Sequence, residues 1–207
     1  MEINYVIYQI RADLWNALLA QWQIAITTPK YWGILATITV AYIVWYRLTD
    51  KTRLVNLLFY GSLVTVMTSL VDLYATTAGL WYYKIRIVPV TTSVFLRDWT
   101  VIPLTYMLVQ QYSSDWKQFF IWNSVGTFFL TGIVAPILSA LDIIQLMQWN
   151  YVYAFIVSYM TATLSRAAFH LVIQVQNLAL EEKPSPLGFT LMHPAFKPSD
   201  KQGDNEE

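Results

Sequence analysis

Apolar and polar residues fall along this chain in long blocks, not in short alternation. Tyr31 to Leu48 reads YWGILATITVAYIVWYRL with no charge before Arg47, and Leu54 to Val71 reads LVNLLFYGSLVTVMTSLV with none. A helix rising about 1.5 Å per residue needs about 20 apolar residues to cross roughly 30 Å of hydrocarbon. Both blocks are therefore read as membrane spans, joined by the short turn at residues 49–53. Three further spans follow. Residues 92–111 carry Arg97 and Asp98 near their start and Pro103 near the middle, residues 118–140 carry Pro136, and residues 150–173 carry Arg166 and His170.

The N-terminal segment has a different pattern. Ile3, Val6, Ile7, Ile10, Leu14, Leu18 and Trp22 recur at helical spacing, while Glu2, Gln9, Arg11, Asp13 and Asn16 occupy other faces. As a sixth span it would place Arg11 and Asp13 in mid-bilayer, at about 2.5 kcal/mol or more each. An interfacial amphipathic helix over residues 1–28 is expected instead. It lacks the positive n-region of a secretory signal, so it is expected to stay on the mature protein. The domain plan is this helix, a five-helix transmembrane domain over 29–175, and a polar tail over 176–207. Pro184, Pro186, Pro194 and Pro198 among Glu, Lys, Ser and Asp mark the tail as disordered.

Composition supports the membrane reading. The 207 residues are 56% hydrophobic and 13% charged, against about 45–50% and 25% in soluble domains. The net charge of zero is a cancellation. Residues 1–180 hold ten Lys/Arg against seven Asp/Glu, and residues 181–207 hold three against six. No region joins high positive charge to a polar fold, so nucleic acid is not an expected partner. The absence of cysteine excludes thiolate metal sites, disulfides and thiol nucleophiles. His170 and His193 are the two histidines, and one lies in the tail, so no two-histidine metal site can form within the bundle. No catalytic triad and no cofactor motif is present, which points to a protein without enzymatic activity or cofactor.

Loop charges place the N-terminus outside and the C-terminus in the cytoplasm, with Arg47, Lys51 and Arg53 as the densest basic cluster. In that topology Asp72, Lys84, Arg86, Arg97, Asp98 and Asp142 all fall toward the outer face, where they can form one polar cluster. Arg166, about 24 Å along the last helix from Asn150, falls toward the opposite face. Arg97 and Asp98 are adjacent, about 100° apart on an α-helix, so Asp98 is expected to find another partner. A carboxylate within a membrane marks an ion, proton or substrate site, or it pairs structurally with a neighbouring cation. Pro103 and Pro136 free the carbonyls of Trp99 and Gly132, and either border a hydrated pocket with Asp72 and Asp98 or bend helices for packing. Arg166 and His170, four apart, could present two donors to a lipid phosphate or snorkel to the interface. Ala154, Ser158 and Ala162 form a small-residue face for close helix packing or self-association. Asn56 and Asn123 are read as interhelical hydrogen-bond donors.

The run GLWYYKIRIVPV, then FLRDWTVIPLTYMLVQQY, then APILSALDIIQLMQWNYVYAF resembles a family of small multi-pass membrane proteins common in spore-forming Firmicutes. The matching features are Trp81 and Tyr83 after a glycine, Asp98 five residues before Pro103, Ala135 to Ile137, and Trp149 with Tyr151 and Tyr153. They cover roughly residues 54–165. Ala135 stands where an acidic residue is expected beside the proline. The resemblance implies a plasma-membrane protein of a Gram-positive bacterium and supplies no activity. The expectation is therefore an all-α polytopic membrane protein, a non-enzymatic accessory or sensor whose partners are the lipid bilayer and a membrane protein or second copy. The alternative is a small transporter or ligand-binding protein with an outward-facing polar site around Asp98.

Overall fold

The computed structural model describes residues 2–90 and 94–181 and is mostly helical. Helix α1 spans Ile3–Ala25 and α2 Pro29–Leu48. Thr28 starts α2 by accepting the Tyr31 amide, and Pro29 takes the first position, where its missing N–H costs nothing. A single 3₁₀ turn at Lys51–Arg53, capped by Asp50 on the Thr52 amide, leads into α3, Leu54–Thr77. Helix α4 spans Ile102–Gln111, α5 Trp116–Phe128, α6 Ala135–Ala140 and α7 Tyr151–Glu181.

Both α4 and α6 are preceded by wide π-helical turns, Val94–Val101 and Phe129–Val134, and both carry proline as their second residue. The expectation of mid-span kinks is thus refined. Each proline opens a new α-helical segment after a π turn, where the regular i to i−4 pattern is already interrupted. The Trp99 carbonyl freed by Pro103 accepts the Tyr42 hydroxyl of α2 at 2.7 Å.

A feature outside the all-helical expectation is a two-stranded antiparallel ladder. Strand β1, Trp81–Tyr83, pairs with β2, Ile144–Leu146, with Trp81 opposite Leu146 and Tyr83 opposite Ile144. Helix α3 ends in a Schellman motif that feeds this ladder. The Leu80 amide donates to the Ala75 carbonyl and the Gly79 amide to Thr76, with Gly79 at φ 71°. An isolated pair of such short strands is not stable in water. Here Trp81, Tyr83 and Ile144 pack with Ala75 of α3, and Trp149 meets Trp81 edge-on at 5.3 Å.

Helix α7 is held by hydrogen bonds to its backbone. Tyr60 of α3 donates to the Ala162 carbonyl at 3.2 Å, Tyr106 of α4 to Ser158 at 3.1 Å, and Asn123 of α5 to Tyr159 at 3.2 Å. The small residues Ser158 and Ala162 therefore serve packing within the chain, and Asn123 is the interhelical donor expected of it. Asn56 is exposed. Gly126 lets α5 approach α4 closely, since a Cβ there would meet Val109 Cγ2 at 2.8 Å.

Among the described residues, three helical stretches are long and apolar enough to cross a membrane: Lys51–Thr77, Trp116–Ala140 and Tyr151–Leu180. The other two expected spans fall on α2 and on residues 94–111. Both are helical, and neither joins these three. The segment expected at residues 1–28 is a helix over Ile3–Ala25. Residues 2–171 belong to one compact unit; residues 172–181, the final turns of α7, belong to a second. Helix α7 thus runs past the expected end at Ile173, because no glycine or proline interrupts the run before Pro184. Of the expected tail, residues 176–181 are helical and 182–207 lie outside the described residues.

Candidate functional site: a buried Asp–Arg–Asp cluster beside an apolar cavity

Strand alternation builds the centre of the site. Residues two apart on a strand share a face, so Trp81 and Tyr83 both point inward while Tyr82 faces out. Both inward side chains donate to the same atom. Asp72 Oδ1, on α3, accepts Trp81 Nε1 at 3.0 Å and the Tyr83 hydroxyl at 2.7 Å. The Arg97 guanidinium adds an ion pair to Asp72 Oδ1 at 3.2 Å and lies over the Trp81 ring, 5.0 Å from its centroid. Asp72, Trp81 and Tyr83 are all buried. Burial pushes the Tyr83 phenol well above its ordinary range, so it remains a proton donor to the carboxylate.

Arg97 also bonds its sequence neighbour, with Nε 3.2 Å from Asp98 Oδ1. This corrects the expectation that adjacent residues cannot satisfy each other. The π turn narrows the angular step between successive side chains, and the long arginine stem curls back over Asp98. Asp98 is fully buried, and its second oxygen, Oδ2, has no hydrogen-bond donor among the described residues. The cluster expected from topology is therefore present for Asp72, Arg97 and Asp98. Lys84 and Asp142 pair with each other instead, at 2.6 Å, on the exposed flank of the ladder. Their hydrogen bond raises the Lys84 ammonium and lowers the Asp142 carboxyl from their ordinary values. Asp142 sits at φ 61°, a left-handed position that aspartate tolerates better than most residues.

Arg97 forms part of the wall of a cavity of about 460 Å³. Val101 and Ile102 before Pro103, and Ala135 and Ile137 on either side of Pro136, line it together with Lys30 of α2. The two proline segments thus converge on one space, but Asp72, Asp98, Pro103 and Pro136 are not among its lining residues, so it is not the hydrated, aspartate-bordered pocket expected. Its walls are mainly aliphatic, and its ionisable side chains, Lys30 and Arg97, are both cations. Lys30 donates to the Leu141 carbonyl at 3.0 Å.

Arg166 stands elsewhere, and its expected contact with lipid headgroups is corrected. Its side chain is buried at 2% exposure, with a guanidinium nitrogen donating to Gln110 Oε1 at 2.8 Å and another to the Asp115 carbonyl at 3.3 Å. The rings of Phe119 and Trp116 cover it at 4.4 and 5.3 Å. Aromatic faces and carbonyls draw the cation inward in place of a headgroup. His170 is exposed and touches the Trp116 and Phe169 rings. Among the described residues no group of acidic or histidine side chains is arranged to hold a metal ion.

These features define a helical protein with a buried ionic cluster whose Arg97 forms part of the wall of a mainly apolar cavity. The chain matches no family model, no curated protein and no solved structure.

Proposed function

We propose that this is an integral plasma-membrane protein that binds an amphiphile with an anionic head and an aliphatic body, acting as a sensor or accessory protein and not as an enzyme. The observation that carries the reading is the cavity: apolar walls for a chain, with the Lys30 ammonium as the cation a head would meet, since Arg97 on the same wall is already paired with Asp72 and Asp98. Such a site, mostly apolar with a few placed polar groups, is the usual form of a small-molecule pocket. Five spans with the N-terminus outside remain the preferred topology. The wide exposed apolar faces of α2 and α3, including Val40, Ile43, Val66 and Leu70, favour lipid contact over water. In that topology the cavity opens toward the outer half of the bilayer.

The test uses the full chain in phosphatidylcholine nanodiscs with cis-parinarate, a fluorescent fatty acid that accepts energy from tryptophan. Saturable transfer above that of empty nanodiscs is expected, because Trp81 and Trp149 line the cavity. Oleate should displace the probe, and oleyl alcohol should need about tenfold more, a difference of about 1.4 kcal/mol. Transfer that rises linearly, as in empty discs, would remove the reading.

A further inference from the structure

The ionic cluster does not balance. Asp72 and Asp98 are both fully buried, and Arg97 is the cation that pairs with each of them. One guanidinium neutralises one carboxylate, which leaves a formal charge of −1 on two carboxylates that are themselves fully buried. An uncompensated buried charge costs several kcal/mol, and proteins relieve it by neutralising the group. The geometry shows where relief can come from. Asp98 Oδ1 is taken by Arg97, Oδ2 is buried with no donor among the described residues, and the Asp72 carboxyl lies within hydrogen-bonding reach. Two carboxylate oxygens repel each other at that distance, and a proton between them turns repulsion into a short, strong hydrogen bond.

Among the described residues the surrounding elements supply no second cation in ion-pair distance. The 94–101 turn packs against α2, α3 and α4. From α2 comes the Tyr42 hydroxyl, bonded to the Trp99 carbonyl, and from α3 comes Asp72 itself. Tyr106 of α4 is bonded to Thr127 and to the Ser158 carbonyl. Strand β1 contributes Tyr83, a neutral donor on Asp72. Lys30, on the cavity wall, points its ammonium at the Leu141 carbonyl.

We propose that Asp98 is a proton-binding site, holding one exchangeable proton on its carboxyl, directed at Asp72, at neutral pH. The proton sets the cluster's charge to zero. This site stands on the cluster alone, whatever occupies the neighbouring cavity. At neutral pH the unfolded chain has ionised carboxylates and binds no such proton. The folded state then holds more protons than the unfolded state, so stability falls as pH rises.

Infrared difference spectroscopy of the full chain in nanodiscs reads this directly. The expected result is a carbonyl stretch from a protonated carboxyl at neutral pH. It should vanish in Asp98→Asn and equally in Asp72→Asn, since the remaining carboxylate is then matched by Arg97. Asp98→Asn imitates the neutral acid in shape and in donor capacity. It should fold, and its melting temperature should lose the decline expected of wild type, which sets in above the ordinary carboxylate range of about pH 4 and continues toward neutral pH. Absence of the band in wild type, or a band that survives Asp98→Asn, would overturn the proposal. If Asp72→Asn does not fold, the Asp98→Asn spectrum decides alone.

Discussion

Two arginines are drawn into this bundle by opposite means. Arg97 is paired with two buried carboxylates and stacked on Trp81, and it faces a cavity. Arg166 has no carboxylate within ion-pair distance among the described residues, and rests on an amide oxygen, a carbonyl and two aromatic faces. Tyr60, which donates to the Ala162 carbonyl one turn before Arg166, and Asp72, which pairs with Arg97, mark the two levels along α3, separated by twelve residues, or about 18 Å. The comparison teaches that burial of a cation is not itself a sign of function. Arg166 ties α7 to α4 and to the start of α5, whereas Arg97 belongs to a cluster with more acid than base and an adjoining space.

Substitution by methionine, which keeps the length and removes the charge, separates the two most sharply. Arg97→Met leaves two buried carboxylates without their cation and is expected to cost about 3–5 kcal/mol. Arg166→Met leaves only Gln110 and the Asp115 carbonyl short of a donor, and should cost about 1–2 kcal/mol. Thermal unfolding of both variants in the same nanodiscs measures the gap; equal losses would erase the distinction.

A smaller effect is expected one step away from Arg97. Tyr83→Phe removes a hydrogen bond to a buried carboxylate and should cost about 1.5–3 kcal/mol. Tyr82→Phe, on the outward face of the same strand, should change stability by less than about 0.5 kcal/mol. The smallest effect belongs to the exposed Lys84–Asp142 pair. The lowered Asp142 carboxyl contributes stability that is complete above the ordinary carboxylate range and disappears as pH falls through its depressed value. The raised Lys84 ammonium contributes in the same way below the ordinary ammonium range and is lost as pH rises through its elevated value. Lys84→Met should therefore shift the melting temperature only slightly at neutral pH, and high salt should hide even that.

The helices and the meeting of Asp72, Arg97 and Asp98 were legible because apolar block lengths fix which residues share a level, whereas the apolar character of the space between the proline segments was not. The ladder was not. Three-residue strands leave too short a trace, although the alternation Trp81-Tyr82-Tyr83 after Gly79 is the signal that could have found it. The Arg97–Asp98 contact was hidden by assuming α-helical geometry where the chain makes a π turn before proline. The burial of Arg166 was hidden because its main partner, Gln110, is an uncharged amide 56 residues away, and charge pairing offers no hint of it.

Cis-parinarate affinity, measured across Lys30→Gln, Ala135→Phe and Arg166→Met, tests most directly whether binding belongs to the Arg97 end of the molecule. Removing the rim cation and filling the cavity should each weaken binding by about tenfold or more, about 1.4 kcal/mol, while Arg166→Met leaves it within about twofold. Unchanged affinity in the first two variants, or an equal loss in Arg166→Met, would contradict the account.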